Sequence, residues 1–175
     1  MKQFITILTF MTVANISMAQ NGKATTTKTT FSRETTVSIS IQAESSIIWS
    51  LLTNAADYPR WNSTIIAIDG TIAAGEKIEL KSTLDTTRTF KLKVLTFQPE
   101  SLLVWGDSKG QRTYTLIKND NGTITFTMTE KIGGLMFPMY AKYIPSFDEA
   151  FEQFASDLKT EAEKKLKTKK ILNWK

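Results

Sequence analysis

Glu130 ends a run in which Ile124, Phe126 and Met128 recur at every second position. A period of two puts these side chains on one face of a strand, so a carboxylate continues an apolar face. Such a carboxylate is costly unless it is paired or hydrogen-bonded. Arg88 stands in the same relation to Phe90 and Leu92, as a partner for Glu130 or an anchor for a ligand. Either charge could equally sit at a strand end, in water. Tyr114 shares a face with Leu116, and Trp105 with Leu103; each ring carries a donor that can orient a ligand. If the protein is an enzyme, Glu130 is the expected general acid or base, with Tyr114 or Arg88 beside it. The chain has no His and no Cys. That removes the commonest general base, thiol catalysis and the usual zinc ligands. No metal site and no cofactor is expected.

These residues need strands to hold them. Val37, Ile39 and Ile41 alternate with Ser38, Ser40 and Gln42, a strand with one buried face. Glu44 opens a short helical run in which Ile47, Ile48, Leu51 and Leu52 point inward. Asn54 can cap a second short helix, which Pro59 should end or bend. Strands are then expected over 64–68, 77–84, 88–94, 101–106, 112–118 and 123–131. Tight turns such as Asn119-Asp120-Asn121-Gly122 join them, so the sheet should be antiparallel. From Pro145 to about Leu166, Phe147, Phe151, Phe154, Leu158 and Ala162 recur at helical spacing. Ser146 and Glu149 match a capping box.

The ends differ from this middle. Lys2, the apolar run Phe4–Ala14 and Ser17-Met18-Ala19 read as a secretory signal over residues 1–19, with Gln20 first in the exported chain. Residues 20–34 lack apolar rhythm and read as a flexible leader. Residues 168–175 read as a basic tail. The net charge is +5, yet six lysines lie within residues 164–175, with no acid among them. The rest of the exported chain is mildly acidic, so nucleic-acid binding is not expected. The tail with Trp174 could touch an anionic membrane surface weakly. An exported domain without cysteines suits a bacterial periplasm.

One strand, two short helices, a run of antiparallel strands and a long terminal helix form a distinctive order. Four stretches resemble the START-related, polyketide cyclase/dehydrase type (SRPBCC) superfamily over about residues 35–167. They are Glu44–Leu52 with Trp49, Asp57-Tyr58-Pro59-Arg60-Trp61-Asn62, the last hairpin with Asn121-Gly122-Thr123, Thr129-Glu130 and Gly133-Gly134, and the terminal helix. The resemblance implies an α+β helix-grip fold, a curved antiparallel sheet wrapped around the long helix with a cavity between them. It also implies a small hydrophobic or amphipathic ligand, lipid-like or polyketide-like; it carries no shared catalytic motif.

With such a cavity, the inward strand faces supply its expected lining: Phe90, Leu92, Leu103, Trp105, Tyr114, Leu116, Phe126, Met128 and Glu130. Phe147, Phe151 and Phe154 face them from the helix. Any one of these could instead be simple core. Met136 and Phe137 belong to the apolar loop Gly133–Tyr140, which reads either as a lid or as a buried strap. The first functional reading is a binding protein, not an enzyme. A cyclase, dehydratase or hydrolase using Glu130 is the alternative, and a lipid-exchange protein acting at membranes a further one. Ligand and oligomeric state are not legible.

Overall fold

The computed structural model describes residues 21–172. The expected signal over 1–19, its junction at Gln20 and Trp174 lie outside the described residues. Eight strands form one antiparallel sheet: β1 Ala24–Lys28, β2 Ser32–Ile41, β3 Ile65–Gly70, β4 Lys77–Ser82, β5 Asp85–Gln98, β6 Leu102–Gly106, β7 Gly110–Lys118 and β8 Ile124–Gly133. Their order is β1-β2-β8-β7-β6-β5-β4-β3. The crossover from β2 to β3 holds α1 Ser45–Thr53, a 3-10 turn Ala55–Asp57 and α2 Tyr58–Trp61. After β8 come α3 Phe137–Tyr140, a 3-10 turn Ala141–Tyr143 and α4 Asp148–Leu172.

The alternating sequences dictate what the sheet buries. Along β2 every second residue, from Arg33 to Ile41, is buried. The same holds for Ile78 and Leu80 in β4, and for Ile124, Phe126 and Met128 in β8. Phe151, Phe154, Ala155, Leu158 and Ala162 of α4 complete the core. Each buried aromatic ring contributes about 2 kcal/mol of apolar transfer free energy. Register shifts in the β3–β4, β4–β5 and β5–β6 pairs bend that half of the sheet.

Packing of α4 is one-sided. It lies on β1, β2 and α1, and touches β8. The bent strands β4, β5 and β6 curve past its open flank. One straight rod cannot fill a concave sheet, so a space remains between them.

Three expectations need correction. Part of the supposed leader is an edge strand: β1 pairs with β2 from Ala24↔Val37 to Lys28↔Arg33. Neither face of β1 is buried, so its threonines carry no apolar rhythm, yet Thr suits a strand. The start of β2 was hidden because Arg33 occupies a buried position where a hydrophobe would be expected. The helix begins at Asp148 and runs through the supposed tail to Leu172. Its first turn closes with the Phe151 N–H donating to the Phe147 carbonyl, 2.8 Å. Ser146 Oγ bonds to Asp148 instead of forming the expected box with Glu149.

Candidate ligand cavity

The space beside α4 is a cavity of about 790 Å³. Leu80 and Ser82 of β4, Phe90 and Leu92 of β5, and Trp105 of β6 form one wall. Arg112 of β7, Glu130 and Ile132 of β8, and Phe147 just before α4 form the other. Tyr140, Tyr143, Ile144 and Pro145 cover part of the opening. Leu84, Asp85, Arg88, Lys91, Asp107 and Lys109 stand around the rim. The wall is mostly apolar and carries a few concentrated polar groups, as small-molecule sites do.

The principal polar feature is an ion pair. Arg112 and Glu130 are direct cross-strand neighbours in the β7–β8 ladder. Arg112 Nε donates to Glu130 Oε2 at 2.5 Å, and the two side chains are only 13% and 16% exposed. The guanidinium also lies over the Phe151 ring, 5.1 Å from its centroid. Burial alone lowers the affinity of Arg112 for its proton, but the Glu130 carboxylate and Tyr114 outweigh burial and raise it above the ordinary guanidinium value. Tyr114 sits behind the guanidinium. Burial pushes its phenol well above the ordinary range, opposed by Arg112. Tyr114 Oη is buried, feels Arg112 electrostatically, and makes no well-formed hydrogen bond within the described protein.

A second buried arginine holds the cover. Arg33 of β2 donates through its two Nη atoms to the carbonyls of Ile144 (3.1 Å) and Pro145 (2.7 Å). Its guanidinium stacks over Phe147, 4.6 Å from the centroid. Burial lowers its proton affinity, with Asp148 and Glu130 opposing. Tyr140 closes the inner side by donating from Oη to the Gly133 carbonyl at 3.2 Å.

The sequence-predicted lining separates into two sets. Phe90, Leu92, Trp105, Glu130 and Phe147 line the cavity, and Arg88 stands at its rim. Leu103, Tyr114, Leu116, Phe126, Met128, Phe151 and Phe154 lie instead in the packed core. Tyr114 and Phe154 are 5.8 Å apart, and Phe126 stacks on Phe154 at 6.2 Å, so the rings fill their own space. Phe137 is buried against Tyr140, whereas Met136 is 59% exposed. The Gly133–Tyr140 loop is thus part strap and part surface. Arg88 does not partner Glu130: its Nε is 4.0 Å from Asp85 and its side chain is 65% exposed. Arg112 takes that role, and sequence reasoning missed it. The signal was there, because Arg112 holds the parity of Tyr114 and Leu116. Tyr143, Ile144 and Arg33 carried no such signal, since the chain's return over the sheet brings them in. Trp61, buried against Tyr58 and Phe154, and the Asp57–Arg60–Glu161 ion pairs wedge α2 onto α4. Among the described residues no cluster of metal-binding side chains is present.

A curved antiparallel sheet gripping one long helix is a helix-grip fold. Solved structures share it. A START superfamily protein from Mycobacterium smegmatis aligns with a TM-score of 0.55 and 15% identity, covering 75% of this chain and 97% of its own. A Nitrosomonas europaea protein aligns with a TM-score of 0.59 and 10% identity, covering 81% and 99%. A hypothetical protein from Helicobacter pylori aligns with 0.59 and 13%, covering 73% and 86%. These likenesses are of fold. No family model matches the sequence, and no curated protein does.

Proposed function

We propose that this protein binds one small amphipathic molecule in the cavity beside α4. The observation that carries the reading is the wall itself: about 790 Å³, mainly apolar, with the Arg112–Glu130 pair the main polar feature inside it. Arg112 spends Nε on Glu130 and interacts with Tyr114, and its guanidinium carries further N–H donors. Those donors are left for a ligand's carbonyl, hydroxyl or carboxylate, while Phe90, Leu92, Trp105 and Phe147 take the apolar body.

Binding of a dansyl-labelled fatty acid tests this. The expected result is one saturable site per chain. Leu92→Trp should fill the cavity and weaken binding at least tenfold without unfolding the protein. Lys118→Ala, on the exposed far end of β7, should leave binding unchanged. Equal binding by all three proteins overturns the reading. Lys91 would be a poor control, because it is among the residues that border the cavity.

The enzymatic alternative rests on Glu130 lining the same wall. It requires turnover of a bound ester or polyketide that Glu130→Gln abolishes while binding persists. Export is part of the proposal and rests on residues 1–19 alone. Sequencing of protein recovered outside the cytoplasm should begin at Gln20. Among the described residues no helix is long and apolar enough to cross a membrane.

A further inference from the structure

We infer that the mouth of the cavity docks on an anionic lipid bilayer, with the turn around α3 as the inserting element. This does not depend on the cavity being a ligand site; it rests on the surface. Ten large apolar side chains are exposed among the described residues, and five of them fall in one corner. They are Leu135 (87%), Met136 (59%), Met139 (67%), Tyr143 (74%) and Phe31 (52%). The Gly134 N–H donates to the Phe31 carbonyl at 3.0 Å, which joins the β1–β2 turn to this loop. Gly134 has φ +124°, a conformation that an L side chain rarely adopts, and it turns the loop outward. Phe137 and Tyr140 point in, so the outward positions are left to leucine, methionines and tyrosine. A contiguous apolar patch on a soluble surface marks an interaction site.

The charges around the patch choose the partner. Among the described residues Lys109 and Lys142 make no ion pair, and Lys142 Nζ rests over the Tyr143 ring at 4.9 Å. Lys109 is adjacent, because its carbonyl accepts the Gly133 N–H at 3.0 Å. Lys28 pairs in register with Arg33 beneath the same corner. The acid in the Lys109 turn, Asp107, accepts two backbone N–H groups from Lys109 and Gly110 with Oδ1. Apolar tips ringed by lysines, with a tyrosine at the level between them, match the layering of an anionic leaflet. A second copy of the chain fits less well, since a two-fold contact would set lysine against lysine. The Lys-rich end of α4 is a separate surface. Twenty-five helical residues put it roughly 37 Å from Phe147 and the mouth.

The absence of cysteine allows a local test in the full chain. Met139→Cys, Lys118→Cys and Lys169→Cys are each labelled with an environment-sensitive NBD dye and mixed with phosphatidylglycerol vesicles. The dye at 139 should brighten at least threefold and shift to the blue; the dye at 118 should not change. Adding Leu135→Ser and Met136→Ser to the 139 protein should weaken the vesicle titration at least fivefold. These positions are exposed, and circular dichroism checks that the fold is kept. Pure phosphatidylcholine vesicles should give a several-fold smaller response. The inference is overturned if the 139 dye is silent, if 118 or 169 responds as strongly, or if neutral vesicles serve equally well. Self-association lost on Leu135→Ser and Met136→Ser, with no vesicle response, would show a protein partner and overturn it too.

Discussion

At the scale of the residue, the Arg112–Glu130 pair has consequences that its neighbours do not share. Removing one member leaves the other nearly buried and uncompensated. Full burial would make that cost about 3–5 kcal/mol, and the residual exposure of 13% and 16% reduces it to roughly 2–3 kcal/mol for Arg112→Met. The double variant Arg112→Met, Glu130→Leu should recover most of that stability, because no lone charge remains. Urea melts of the three proteins measure it; equal destabilisation in the single and double variants contradicts the account. Tyr114 gives the opposite case. Its hydroxyl has no well-formed partner, so Tyr114→Phe should change stability by less than ~1 kcal/mol. A larger loss would mean that the hydroxyl is bonded to Arg112 in solution.

At the scale of the element, the N-terminal strand is held to α4 by carboxylates. Asp148 accepts from Thr26 Oγ1 at 2.5 Å, and Glu152 accepts from Lys23 Nζ and from the Ala24 N–H. The bond from Thr26 holds Asp148 below the usual carboxylate range, and the bond from Lys23 does the same for Glu152. A depressed folded value means stabilisation present above the unfolded value, near ~4, and lost as pH falls through the folded one. The β1 amides should therefore shift toward coil positions in a proton–nitrogen correlation spectrum below about pH 4, before the β7 and β8 amides move. Loss of both sets together would count against a locally released strand. Arg33 plays the same part for the cover. Arg33→Met removes two bonds to carbonyls and should speed amide exchange over residues 141–147, with the protection of β8 retained.

At the scale of the whole molecule, the order of the main elements from β2 onward and the inward faces of β2, β4 and β8 were legible, because burial on one face imposes a period of two. The long helix was legible for the same reason at its own period. The helix-grip arrangement was implied by the family resemblance that these elements carry. Which inward residues line the cavity was not legible. Phe126 and Phe90 have the same chemistry and the same parity, yet one is core and the other wall. The difference lies in where α4 rests: it covers β2 and touches β8, while the bent strands β4 to β6 pack only weakly against it. No local pattern encodes that offset. Arg33 shows it again, for its partners Ile144 and Pro145 lie more than a hundred residues away in the chain. Periodicity is a property of neighbours along the chain, so sequence determined the elements and their buried faces. The cavity, its ion pair and its apolar mouth arise where distant elements fail to fill the space between them, and only the tertiary structure decides that.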